Sequence, residues 1–173
     1  MANNLILYYS RSGENYWNGH IEYLQKGNTE IAAEFIQKAV GGDLFKIETE
    51  KEYSPSYMTC IDEAQEELRQ KARPVLKCYL ENLDGYENIF ICGPCWWGTF
   101  PMAVFSQVER LDWTGTKVMV LMTHEGSGLG GSERQIKKSC QGARFGKGLA
   151  VAGHDTADSE AKIAAWAISQ TES

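Results

Sequence analysis

The chain lacks the features that mark several large classes of protein. No apolar stretch approaches the roughly 18–20 residues that a membrane-spanning helix needs. The apolar run at residues 5–9 is too short for the core of a secretory leader, and no basic segment precedes it. A cytoplasmic location is therefore expected. Positive charge is in the minority, with 17 Lys and Arg against 23 Asp and Glu, a formal net charge of −6. A nucleic acid or an anionic membrane needs a basic face, so neither is expected as a partner. The 3 histidines (His20, His124, His154) are far apart in sequence and suggest no metal site. The 5 cysteines (60, 78, 92, 95 and 140) are odd in number and lack the paired spacing of a zinc site, so most read as free thiols in a reducing compartment. The loop that follows the first apolar run has neither GxGxxG nor GxxxxGK[ST], which argues against a Rossmann dinucleotide site and a nucleoside triphosphatase.

What is present is an alternation of short apolar runs with helix-period segments. No linker or repeat interrupts it, so 1–173 reads as one domain. Strands are expected at 5–9, 44–47, 88–92, 117–122 and near 148–151. Their continuous apolar character is that of a parallel sheet buried on both faces. Helices are expected after Thr29, from about Ser56 to Pro74, after Pro101, from Ser132 and from about Asp158. Ser132 and Gln135 look like a capping box. The pattern is α/β, a three-layer α/β/α sandwich around a five-stranded parallel sheet.

In such a sheet ligands bind where the strands end, and three strand ends carry unusual loops. After the first strand come Ser10, Arg11, Ser12, Gly13 and Asn15, and the segment runs through Gly27, Asn28 and Thr29 into the first helix. Hydroxyls and backbone N–H groups at a helix start favour a phosphate. The same residues equally make turns and an N-cap. After the third strand come Pro94, Cys95, Trp96, Trp97 and Gly98, where indoles offer flat apolar walls for a planar ligand or else plug the core. After the fourth come Thr123, His124, Glu125, Gly126, Ser127 and Gly128, rich in available N–H groups, or simply a flexible connection.

Together these loops resemble those of the flavodoxin-like family, in the same order and after the same strands. The resemblance implies strand order 2-1-3-4-5 and a bound flavin mononucleotide (FMN). It assigns the phosphate to Ser10, Ser12, Asn28 and Thr29, with backbone donors from Arg11 and Gly13. Asn15 is a second candidate for the later half of the phosphate loop. Pro94, Cys95, Trp96, Trp97 and Gly98 would follow the ribityl chain and ring, with the carbonyl of the Trp97–Gly98 peptide accepting from the flavin N5–H. Thr123, His124, Glu125, Gly126, Ser127 and Gly128 would line the opposite edge. One departure stands out: residues 14–26 split the phosphate loop. The expected reading is an excursion that leaves the site and returns, carrying a lid or partner surface.

The implied activity is that of a low-potential electron carrier serving redox partner proteins, as a monomer or weak homodimer. An acidic surface would suit basic patches on such partners. A second possibility is an NAD(P)H-dependent quinone reductase of the same fold. A third follows from Cys92-Gly93-Pro94-Cys95, which matches a thioredoxin tetrapeptide and would make a thiol–disulfide oxidoreductase.

Overall fold

The computed structural model describes residues 3–172. Its first half runs β1 (Asn4–Tyr8), β2 (Gly13–Trp17), β3 (His20–Leu24), α1 (Asn28–Val40), β4 (Asp43–Lys46) and α2 (Tyr57–Gln70). The second half runs β5 (Asn88–Pro94), α3 (Met102–Val108), β6 (Lys117–His124), α4 (Ser132–Ser139), β7 (Arg144–Phe145), β8 (Leu149–Ala152), a 3₁₀ turn (Gly153–Asp158) and α5 (Glu160–Glu172).

All pairings of the main sheet are parallel, in the order β4-β1-β5-β6, with β7 and β8 both on the far side of β6. The expected order 2-1-3-4-5 holds, with one refinement: the fifth strand is broken. The break falls at residues 146–148, where Gly146 presses against Met119 and Gly148 against Glu133. A side chain at either place would collide; pairing stops at Val118 opposite Phe145 and resumes at Leu121 opposite Leu149, three residues further along β6 for four along the broken strand.

Alternation along the strands assigns the core to two faces. Leu5, Leu7, Ile89, Ile91, Val118 and Val120 point to one side, where they meet Phe100, Val104, Phe105, Val108, Trp113 and Ile136. Ile6, Tyr8, Phe90, Cys92, Met119 and Leu121 point to the other, against Ala32, Ala33 and Ile36 of α1 and Ile163, Trp166 and Ala167 of α5. Strands covered on both sides need apolar residues at every position, which is why their sequences are continuous apolar runs. Among the described residues no helix is long and apolar enough to cross a membrane.

One expectation gains detail and another changes. The insertion at 14–26 is a β-hairpin, β2 against β3 in antiparallel register with Trp17 opposite His20, and it forms a separate two-stranded sheet. Asn18 and Gly19 make its turn at φ of 47° and 93°, the positive pair of a type I′ hairpin. The capping box does not form, because Gly131 caps α4 and Ser132 is already helical. Ser132 Oγ donates instead to Leu129 O, and Gln135 Oε1 accepts from Thr99 Oγ1.

Candidate functional site

Where β1 ends, the chain enters the hairpin and comes back to the point it left. Gly27 packs on Ser10 and Arg11 so closely that a Cβ there would lie 2.5 Å from Arg11 O and closer still to Ser10 Oγ. Gly27 is the N-cap of α1 but has no side chain to cap with. Ser10 supplies the missing group: its Oγ accepts from Glu30 N at 3.0 Å. The two halves of the interrupted loop are thus one structure. The N–H groups of Asn28 and Thr29 open α1 without intrahelical acceptors.

Beside this helix start, a narrow cleft of about 100 Å³ runs between the ends of β1, β5 and β6. Of the residues singled out in sequence, Arg11, Asn15, Asn28, Thr29, Pro94, Cys95, Trp96, Thr123, His124 and Glu125 line it. β5 reaches Pro94 and β6 reaches His124, so three of these belong to strand ends rather than loops. Cys95 N donates to Thr123 O at 2.8 Å, tying the two strand ends together. The buried hydroxyls of Thr29 and Thr123 meet at 2.8 Å and join α1 to β6.

The others lie around it. Ser10 and the exposed Ser12 line a neighbouring cavity with Lys46 and Glu48, which shares Arg11 with the cleft. Gly13 turns the chain into β2 at φ 83°. Trp97 and Gly98 form a tight turn, both at positive φ, closed by Trp96 N donating to Thr99 O at 2.8 Å. Trp97 faces an adjoining cavity of about 220 Å³ that shares Arg11, Tyr57, Cys95 and Trp96 with the cleft. Its indole N–H donates to Ile61 O of α2 at 2.8 Å. Gly126 and Ser127 are exposed, and Gly128 lies partly buried beyond the cleft.

Two cleft residues escaped sequence reasoning, Tyr57 and Gly153, and a third, Tyr16, belongs to the insertion expected to carry a lid or partner surface. The Asn18-Gly19 turn flanked by aromatic and apolar residues signals a hairpin, and so could have placed Tyr16 on a strand. Nothing in the sequence brings Tyr57 or Gly153 to the same spot.

Charge in the cleft is held by neighbours. The Arg11 guanidinium donates to Glu14 O at 2.8 Å, Ser54 O at 3.0 Å and Pro55 O at 3.2 Å. Glu125 accepts from His154 Nδ1 at 2.7 Å and from Asn18 N at 3.1 Å. That hydrogen bond raises the His154 pKa, whereas desolvation lowers that of His124. A roomier concavity, about 660 Å³, lies on the flank of α2, but Glu50, Glu52, Asp62, Glu63, Glu66 and Glu67 line it with Lys51 as the one cation. An anionic ligand would be repelled there.

The thioredoxin-like tetrapeptide loses its chemistry on folding. Cys92 is fully buried inside β5, and burial pushes its thiol pKa up, the reverse of what a nucleophilic thiolate needs.

No curated protein matches the chain significantly. Among solved structures it resembles a provisionally assigned flavoprotein from Bacteroides eggerthii, with 26% identity, 98% of each chain covered and a TM-score of 0.76. It also resembles a flavoprotein in complex with FMN from Lactobacillus acidophilus (19% identity, 96% of this chain and 99% of that one, TM-score 0.63). Oxidised flavodoxin 2 from Bacillus cereus is a third (20% identity, 99% of each chain, TM-score 0.59). At the last two identities the likeness speaks for the fold alone. The family model for flavodoxin matches residues 21–169, which leaves Ser10 and Arg11 to be placed by geometry. On that match the chain belongs to the flavodoxin family.

Proposed function

We propose that the cleft holds FMN and that the protein is a low-potential electron carrier between partner proteins. The observation that carries this reading is the reunited loop. Gly27 against Ser10 and Arg11 puts a 13-residue helix start at the end of the central strands, within a chain of the flavodoxin family. FMN is also the ligand in the Lactobacillus acidophilus structure of the same fold.

The donors fit a phosphate. Asn28 and Thr29 offer their N–H groups along the helix dipole. Ser10 Oγ accepts from Glu30 N, which leaves its own proton to donate. Thr29 and Thr123 share one hydrogen bond between two hydroxyls, so one proton is left over for a ligand. Glu125, the carboxylate residue in the cleft lining, is held by His154 and Asn18 rather than left bare. Pro94, Cys95 and Trp96 form the apolar wall for the ring. Gly98 O already accepts from Gly131 N at 2.8 Å, which leaves the Trp97 carbonyl as the acceptor for the flavin N5–H.

FMN, when bound, supplies one- and two-electron redox chemistry, and the protein's part is to hold the ring and tune it. An overall charge of −6, with Arg11 tied to three carbonyls, disfavours added negative charge on the ring and so lowers the potential.

The test is an absorption spectrum and an FMN titration of the purified protein. Flavin bands, or saturable quenching of FMN fluorescence, are expected; failure to bind added FMN would overturn the reading. Menadione turnover with NAD(P)H at enzymatic rates would assign a reductase instead of a carrier.

A further inference from the structure

The β2–β3 hairpin is fixed across the mouth of the cleft rather than swinging free. At its base Glu14 Oε1 accepts from Tyr57 N at 2.8 Å, and Asn15 Nδ2 donates to Arg11 O at 2.8 Å. At its tip Asn18 N donates to Glu125, and Trp17 meets the ring of His154 edge-on at 6.4 Å. A lone two-stranded hairpin is marginal in water, so these anchors decide where it sits. They run from the start of α2 to the end of β6, and so span the cleft.

Tyr16 is the hairpin residue that this arrangement presents to the cleft as an aromatic surface. Its ring stacks on that of Tyr57, with centroids 6.3 Å apart and planes 28° from parallel. Both line the cleft, and Tyr57 also faces the adjoining cavity beneath Trp97. Tyr16 is nonetheless 42% exposed. Trp96 lines the same cleft, its ring locked edge-on between Tyr9 at 5.2 Å and Tyr53 at 5.1 Å. On the β6 side the chain between Trp113 and Phe145 brings no Phe, Tyr or Trp, and the rings of Trp17 and His154 pack on each other at the hairpin tip without lining the cleft. A flat ring needs apolar cover on both faces to leave water fully. One cover is Trp96; the other has to come from the hairpin and α2.

We infer that Tyr16, backed by Tyr57, is a flavin-contacting residue, so that the insertion completes the ring site. This rests on the FMN reading above. The test is fluorescence titration with FMN and with riboflavin of the unaltered protein and of Tyr16→Ala, Tyr16→Phe and Tyr23→Ala. Tyr23 lies on the same hairpin opposite Glu14, is 73% exposed and does not line the cleft, so it reports on damage to the hairpin itself. Tyr16→Ala is expected to weaken both ligands about tenfold, the other two variants by less than about twofold. The inference is overturned if Tyr16→Ala binds both ligands like the unaltered protein, if Tyr23→Ala loses as much, or if the loss appears with FMN but not riboflavin. If the unaltered protein binds no FMN, the reading of the cleft fails and this inference fails with it.

Discussion

At the scale of single residues, the site depends on two small groups that touch. Ser10 caps a helix twenty positions away, and replacing it by Ala removes the acceptor for Glu30 N. A loss of about 1 kcal/mol of stability is expected, read from the urea midpoint, together with weaker FMN binding. Gly27→Ala is the harsher change, since its Cβ meets backbone at Arg11 O. It is expected to cost about 1–3 kcal/mol and to release FMN, measured by denaturation and by flavin retention on desalting. The two histidines at the cleft rim shift in opposite senses from the ordinary 6.5. His154 is raised, so its bond to Glu125 stabilises the fold fully below 6.5 and fades as pH rises through the raised value. His124 is lowered, so its contribution is present above 6.5 and is lost as pH falls through the lowered value. NMR titration of the ring protons should place His154 above 6.5 and His124 below it, and the reverse order would refute the assignment. These contacts were only partly legible in the sequence. Ser10, Asn28 and Thr29 read equally as phosphate ligands and as capping chemistry, and in the fold Ser10 is the cap.

At the scale of elements, the hairpin and the main sheet should differ in durability. The hairpin is held at its ends and carries Tyr16, Ile21 and Tyr23 exposed, while β5 and β6 are buried throughout most of their length. Hydrogen exchange should therefore be much faster in β2 and β3 than in β5 and β6, and FMN should slow it in the hairpin selectively. Equal protection of both regions in the free protein would contradict this. The same difference explains what the sequence revealed. Residues 89–92 and 118–122 are apolar because both their faces are covered, so the pattern alone announces a strand. Apart from the nearby Arg11, the hairpin owes its place to three distant partners (Tyr57, Glu125 and His154), and no local pattern records partners that far away. Its Asn18-Gly19 turn was the one local sign. Ser132 and Gln135 failed as a capping box for a related reason: Thr99, from the turn after β5, takes Gln135 for itself.

At the scale of the whole molecule, charge governs encounter more than fold. With a net charge of −6 and the carboxylate-lined flank of α2 close to the Trp97 turn, a cationic redox mediator should exchange electrons with the FMN-loaded protein faster than an anionic one of similar potential. The gap should close as ionic strength rises past about 0.15 M, where charges are screened beyond about 8 Å. Stopped-flow rates with the two mediators would show it, and equal rates at low salt would speak against electrostatic steering. The contact of Gly27 with Ser10 and Arg11 has one more consequence. Because the chain crosses its own path there, everything from Ser12 to Lys26 hangs from two feet that already meet, and closing that loop asks nothing further of the sheet. The fold thus has a socket at its ligand edge. A different module with neighbouring ends could be plugged in, and would arrive beside the redox centre without the scaffold having to change.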